Sequence, residues 1–384
     1  MKFGFCSLAL MLLASPLFAA EPGKYLVYFG CYTGTKPGDS KGISVSTFDA
    51  NTGTLSKPVT VFETVNPSFL AVHPKLKVLY AVGEVGDENK PAQGVSAYGM
   101  DTNSGGLKKI NYLPSGGSAP CHVSLSPDGK IAVCANYSGG SCAFYQVDAN
   151  GKLEKELAFF KHAGKGGPDK GRQEMAHGHC GRFDPSGKFC YVCDLGLDCV
   201  KVYSIGATIT PAGEITLPPG SGPRHITIAP QGNLAFVNGE LNSTVNVVKL
   251  NAEKGTGEVV QSISTLPGGK PVAGNSTAEV LLHPNGKLVY CSNRGHNSIA
   301  AFSWDGSKLT PIGHATKGIN IPRNFNLDPT NKWMLVANQD GNDVAVFKLD
   351  EQGVPQPTGV TVPVGKPVCV KFVEKDSTTK GVAD

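Results

Sequence analysis

Gly222-Pro223-Arg224-His225-Ile226-Thr227-Ile228-Ala229-Pro230, followed after Gln231-Gly232-Asn233 by Leu234-Ala235-Phe236-Val237-Asn238-Gly239-Glu240, is the stretch that decides how this chain is read. It describes a short apolar strand opening on an arginine, a tight turn just past a proline, and a returning strand closing on a glutamate. Antiparallel neighbours bring the start of one strand beside the end of the next. Arg224 and Glu240 are therefore expected at one rim of a sheet.

The unit recurs. Spans 70–84, 123–137, 183–195, 226–240, 280–294 and 325–339 each read as strand, turn and returning strand, and a third strand follows, as in Asp343-Val344-Ala345-Val346-Phe347. The turn prolines Pro74, Pro127, Pro185, Pro230, Pro284 and Pro329 lie 45 to 58 residues apart. Asp128-Gly129, Ser186-Gly187 and Asn285-Gly286 supply turns in which glycine takes a positive φ without steric cost. A seventh first strand, Pro367-Val368-Cys369-Val370-Lys371-Phe372-Val373, stands near the C-terminus, and its missing continuation, Tyr25-Leu26-Val27-Tyr28-Phe29-Gly30, near the N-terminus. Several short strands per unit at this period, with no sustained helical spacing, predict an all-β fold. The expected architecture is a seven-bladed β-propeller of four-stranded antiparallel blades. Pairing of the C-terminal and N-terminal strands would close the ring and leave no open sheet edge. Residues 21–384 read as one propeller domain, with 163–173 as the one long Gly-rich loop before a first strand.

Composition narrows the partners. The 384 residues carry a formal charge of +4, 17% charged residues and no Lys/Arg block, which argues against nucleic acid or a membrane surface. An apolar share of 40% can fill a large core. Residues 1–20 read as an export signal, with Lys2, an apolar run over 3–13 and a small-residue end at Ala19-Ala20. That run is too short to span a bilayer and no later run approaches that length, so an exported, soluble protein is expected. Of the 11 cysteines, Cys6 lies in the signal and most others sit within strand patterns as small buried hydrophobes. Cys190 and Cys193 are spaced C-x-x-C, but that spacing on a strand points them to opposite faces, which disfavours a zinc or redox pair.

Alignment on the prolines locates the chemistry. Six residues before the proline, at the start of the innermost strand, stand Ser68, Cys121, His179, Arg224, Ala278 and Arg323. The next position holds Phe69, His122, Cys180, His225, Glu279 and Asn324. Nine and ten residues after the proline, where the second strand ends, stand Gly83-Glu84, Asn136-Tyr137, Asp194-Leu195, Gly239-Glu240, Asn293-Arg294 and Asn338-Gln339. Both sets belong to one end of a blade, so His179, Arg224, Arg323, Glu84, Glu240, Glu279 and Arg294 are expected around one mouth of the central channel. Arginines grip carboxylate or phosphate and can stabilise an oxyanion, while a histidine or glutamate beside them can take a proton from water. The competing reading is a rim of ion pairs that only ties blades together. His177-Gly178-His179 sets two imidazoles on one strand face, with no further metal ligands in pattern. His122 and His225 are expected to face a neighbouring blade in a structural role, and His73 and His283 to serve turns. No G-x-S-x-G elbow is present, Gly139-Gly140-Ser141-Cys142-Ala143 being the nearest approach, and no phosphate-binding glycine loop follows a strand.

A set of short motifs runs in one order across nearly the whole mature chain. They are Ala135-Asn136-Tyr137-Ser138-Gly139-Gly140-Ser141, Arg172-Gln173 ahead of His177-Gly178-His179, Asp194-Leu195-Gly196-Leu197-Asp198, Gly222-Pro223-Arg224-His225, Ala278-Glu279, Ser292-Asn293-Arg294-Gly295-His296-Asn297-Ser298 and Pro322-Arg323. In these residues the chain resembles the seven-bladed propeller lactonases, the 6-phosphogluconolactonase family that also includes a fungal muconate-lactonising cyclase. The resemblance implies ring-opening hydrolysis of a sugar-acid lactone, 6-phosphogluconolactone and water giving 6-phosphogluconate, without a required metal or other cofactor. It implies catalytic roles for His179, Arg224, Glu240 and Arg294, with either His179 or Glu240 as the base. Arg323, Glu84, Asn136, Asp194, Glu279 and Asn293 are, from their rim positions, candidates for substrate binding. A non-enzymatic ligand-binding or scaffold propeller, a lactonising cyclase and a calcium-dependent gluconolactonase-like enzyme stay open as alternatives.

Overall fold

Seven inner strands, Leu70–Val72, Pro120–Leu125, Gly178–Phe183, Pro223–Ile228, Ser276–Leu282, Pro322–Leu327 and Pro367–Asp376, pack around one axis, each against the next and the last against the first. The computed structural model describes residues 20–376, so residues 1–19 of the expected export signal lie outside the described residues. Six sheets have four antiparallel strands ordered outward along the chain, as in Pro223–Ile228, Leu234–Gly239, Thr244–Leu250 and Gly257–Ser264. The chain ends close the seventh: Pro367–Asp376 pairs with Ala20–Cys31, which pairs with Gly42–Asp49. The outer edge of this blade is split into Thr54–Leu55 and Val59–Glu63, both paired with Gly42–Asp49. Pro58, which has no N–H to give to a ladder, stands at the break. The fold is the all-β, seven-bladed propeller.

Alternation along each strand sends successive side chains into the two neighbouring interfaces. Cys190 accordingly packs with Val133, Phe144 and Tyr203, and Cys193 with Val200, Ile226 and Val237. All ten described cysteines are buried and unbridged. Burial raises their thiols, Cys31 to about 12, which leaves no reactive thiolate there at neutral pH.

Polar latches add direction to the apolar contacts. Tyr28, Tyr80 and Tyr290 donate to the carbonyls of Gly105, Gly151 and Gly353, each in an outer turn of the next blade, at 3.1, 2.7 and 2.7 Å. A buried hydroxyl needs such a partner, and each bond is worth about 1 kcal/mol net. His73 Nδ1 accepts the amides of Lys75 and Leu76, and His283 Nδ1 that of Asn285, so both hold turns. Among the described residues no helix is long and apolar enough to cross a membrane.

Candidate active site

The inner strands that carry candidate residues begin irregularly. Register shifts separate Pro223 from Ile226, Gly178 from Cys180, Thr277 from Val280 and Pro322 from Asn324. A bulge re-aims side chains, and here it lets two successive residues, Arg224 and His225, turn toward the axis. Gly222 prepares the bend with a φ of +57°, its amide held by Asp198 Oδ1 at 2.8 Å, and Pro223 starts the strand with no N–H to satisfy. Asn238 Oδ1 accepts the His225 amide at 2.8 Å, replacing the ladder bond lost at the bulge.

Side chains therefore stack in levels down the channel. The outermost level, Ser68, Cys121, His179, Arg224 and Arg323, lines with Glu84 a cavity of about 10 Å³, room for about one water. One level down, Phe69 fills the axis, its ring 4.1 Å from that of His122 and 5.7 Å from that of His225.

Glu240 leaves its strand at the rim and meets three guanidinium groups. Oε1 lies 2.9 Å from Arg172 and 3.1 Å from Arg294, and Oε2 lies 2.9 Å from Arg224 Nε. Arg224 Nε is close to Oε2 without hydrogen-bond alignment, and Arg294 Nε is likewise buried with no hydrogen-bond partner. Arg224 donates instead through Nη1 to Ala278 O at 2.6 Å, and Arg294 through Nη2 to Thr277 O at 2.9 Å. Both Nε atoms are buried, and the carboxylate and the two carbonyls fix where the guanidinium groups stand. Burial by itself would raise the Glu240 pKa, but Arg294, Arg224 and Arg172 hold it down at about 2. Burial pushes Arg294 down to about 10, partly offset by Glu240. Glu240 is a fixed counter-charge and a poor proton acceptor.

His179 faces the cavity, Nδ1 3.9 Å from Cys121 Sγ, with its ring edge-on to Tyr137 and His225 at 5.6 and 5.3 Å. Burial first, then the charge of Arg224, pushes its pKa well below the usual 6.5, so the imidazole is neutral at pH 7 and its lone pair is available. His177 behaves differently. It contacts Tyr137 O and Glu174 at 3.1 Å each and stacks on Tyr137, so the two imidazoles do not address one point. Among the described residues no group of three or more His, Cys, Asp or Glu is placed to share a metal ion.

Glu279 lies one level below the mouth, a correction to its expected place at the rim, and His225 bonds to it across the blade interface. Arg224 Nη1 is 3.2 Å from His225 Nε2, and a guanidinium only donates, so Nε2 is the acceptor. Nδ1 then carries the hydrogen and gives it to Glu279 Oε1 at 2.9 Å. Glu279 also accepts from the Val280 amide and from Asn324. Rather than facing the rim, Glu279 orients Arg224 through His225. Burial lowers the His225 pKa to about 4, so this imidazole too is neutral.

Of the paired positions where second strands end, only one reaches the mouth. Glu84, Glu240 and Arg294 do. Asn136, Asp194 and Asn293 are fully buried beneath it and bond loops instead of lining the cavity. Asn136 donates to Ser115 O and Ser141 Oγ, Asn293 to Thr265 O and Ser298 Oγ, and Asp194 accepts the amides of His177 and Leu197. Adjacent strand residues face opposite ways, which is why each pair divides. Ser141, the nearest approach to a nucleophile, is thereby part of a hairpin.

Two residues at the mouth, Arg172 and Tyr32, escape an alignment on prolines, and a third, Tyr137, stands in it unremarked. Arg172 comes from the 163–173 loop and also donates to Tyr137 Oη at 3.0 Å. Tyr137 stands at the end of a second strand but carries no charge to draw notice. Tyr32 belongs to the split blade, which has no turn proline; read in register, it too ends a second strand. Its hydroxyl donates to Glu84 at 2.9 Å and accepts from Arg323 at 2.8 Å, and the Arg323 guanidinium lies 5.3 Å from the Tyr32 ring centroid.

Known proteins share this architecture. The family described as lactonase, 7-bladed beta-propeller, matches residues 26–372. The chain is 32% identical to the 6-phosphogluconolactonase of Bacillus subtilis (strain 168), over 92% of this chain and 99% of that protein. It is 33% identical to the 6-phosphogluconolactonase of Formosa agariphila, over 84% and 92% respectively. The solved periplasmic gluconolactonase of Pseudomonas aeruginosa superimposes with a TM-score of 0.83 at 29% identity, covering 92% of this chain and 99% of that one. The chain therefore belongs to the lactonase family of seven-bladed β-propellers.

Proposed function

We propose that this enzyme opens a sugar-acid lactone at the Arg224–Glu240–Arg294 mouth, with 6-phosphogluconolactone and water giving 6-phosphogluconate. The observation that carries this reading is a neutral His179 beside Arg224, which is pinned together with Arg294 by a carboxylate that does not titrate near neutral pH. The relatives named 6-phosphogluconolactonase, alike over most of the chain, support the substrate.

In the proposed reaction a water at the small cavity attacks the lactone carbonyl while His179 takes its proton. The new C–O bond puts negative charge on the carbonyl oxygen, which the positive charges of Arg224 and Arg294 stabilise. Collapse breaks the ring C–O bond, and the protonated His179 returns the proton to the departing alkoxide. Of the two candidate bases, His179 suits the role because it is neutral and faces the cavity, whereas both Glu240 oxygens are already engaged by arginines. Arg323 and Arg172 would hold an anionic group of the substrate, and Glu84 would accept a sugar hydroxyl.

Turnover of 6-phosphogluconolactone against unphosphorylated glucono-lactone, each with and without chelator, tests the assignment. Preference for the phosphorylated lactone, unchanged by chelator, is expected. Chelator-sensitive turnover, or retention of the sugar acid without turnover, would remove it. Likeness to a periplasmic gluconolactonase favours a second reading, in which residues 1–20 direct export and the lactone carries no phosphate. N-terminal sequencing of the exported chain and a reversed substrate preference would establish that one.

A further inference from the structure

Below Phe69 the channel reopens into a cavity of about 650 Å³, walled by the lower ends of the inner strands and the turn prolines. Three residues before each proline, and at the matching position of the closing blade, one side chain per strand faces this space. Arg182 and Lys371 are the two charged members of a level that otherwise holds Ala71, Ser124, Thr227, Leu281 and Asn326. The neutral polar members are satisfied within the blades: Ser124 donates to Gly181 O, Thr227 accepts the Leu282 amide, and Asn326 donates to Val370 O.

The acids of this mouth are occupied as well. Asp184 accepts the amides of Ser186 and Phe189 and the Ser186 hydroxyl, and Asp328 accepts the amides of Thr330, Lys332 and Trp333. Both are almost fully buried in their turns. Among the described residues no ion pair joins Arg182 or Lys371 to a carboxylate. Lys371 Nζ lies 4.7 Å from the centroid of the Phe69 ring, on the floor of the cavity. Both cations act electrostatically on Glu279 and on His122 just above, so both project toward the axis. They come from strands three places apart in the ring of seven, and Glu279, the carboxylate that feels both, already accepts from His225, the Val280 amide and Asn324.

We propose that this second mouth binds a small oxyanion, a phosphate or carboxylate group held on the axis between the Arg182 guanidinium and the Lys371 ammonium. The guanidinium fork matches two oxygens of such a group, and the ammonium adds a point charge from the other side. The site is separate from the Arg224–Glu240 mouth, because Phe69, flanked by His122 and His225, fills the channel between them.

Inorganic phosphate and citrate, titrated separately into the full chain by calorimetry, are the probes. Arg182→Gln and Lys371→Gln are each expected to weaken one binding event at least tenfold, and Arg182→Lys less, since it keeps the charge and loses only the fork. Thermal melts check that the variants fold. Crystals of the unaltered chain soaked in selenate give an independent reading, with an anomalous peak expected between Arg182 and Lys371. A peak confined to the Arg224–Arg294 mouth, or titrations that neither Gln variant changes, would overturn the site.

Discussion

The two mouths of one channel carry charge of the same sign in opposite settings. At the first, Arg172, Arg224 and Arg294 converge on Glu240, and Arg224 also lines a space of about 10 Å³ with His179 and Arg323. At the second, Arg182 and Lys371 face about 650 Å³, and the nearby acids serve their own turns. Strand direction explains the difference. Starts of first strands and ends of second strands meet at the first mouth, so a blade can place two side chains there. At the second mouth the first strands run straight into turn prolines, and each places one. Crowding at the first mouth buries the charges against one another, and burial together with these close pairings perturbs their titration.

The contrast can be broken or sharpened at several points. His179→Ala should have the largest effect, lowering kcat/KM by on the order of 10²–10⁴-fold while the melt stays close to that of the parent. A residual rate above that range would move the base elsewhere. Glu240→Ala should come next. It strands buried guanidinium groups and is expected to cost about 3–5 kcal/mol in denaturant unfolding, whereas Arg182→Gln at the open mouth should change stability by less than about 0.5 kcal/mol. Equal losses at the two mouths would erase the distinction drawn here. Arg224→Ala and Arg294→Ala should each lower kcat about a hundredfold, near 3 kcal/mol, through the lost oxyanion contact.

Acid separates the mouths by a subtler route. Burial holds His122, His179 and His225 below their usual pKa, the last at about 4, whereas all three titrate near 6.5 once unfolded. Below pH 6.5 the unfolded chain therefore binds more protons, so stability falls as pH drops through 6.5 toward 4. Glu240 and Glu279, both at about 2 when folded, extend the loss below their usual 4.5. Unfolding measured at pH 7, 6 and 5 should show this slope, and a flat profile would contradict the neutral buried histidines. Lactone turnover should correspondingly lack an inflection near pH 6.5, because His179 stays neutral there. An effect on stability alone is expected far from either mouth: Tyr80→Phe removes the bond to Gly151 O, costs about 1 kcal/mol, and leaves turnover unchanged.

Much of this was legible in the residues. Alignment on the turn prolines groups His179, Arg224, Glu240 and Arg294, which the structure gathers at one mouth. It could not separate Asn293 from Arg294, since both stand where a strand ends and only their alternate facing divides them. It passed over Tyr32, because the blade that carries Tyr32 has no turn proline. Arg172 lies in a loop without periodicity, where no pattern links it to Glu240. The depth of Glu279 was equally hidden, because a bulge resets the alternation at the start of its strand.

What the sequence by itself determined is the number of blades, the way the ring closes and which residues stand at the starts and ends of the inner strands. These follow from local facts, turn punctuation and two-residue alternation, which need no distant partner. Only the tertiary structure decided which cations meet a carboxylate and which face open space, which histidine is free to accept a proton, and which proposed ligand fell instead to holding a loop. Pairing and burial are set between strands from different blades, and those come together only when the ring closes.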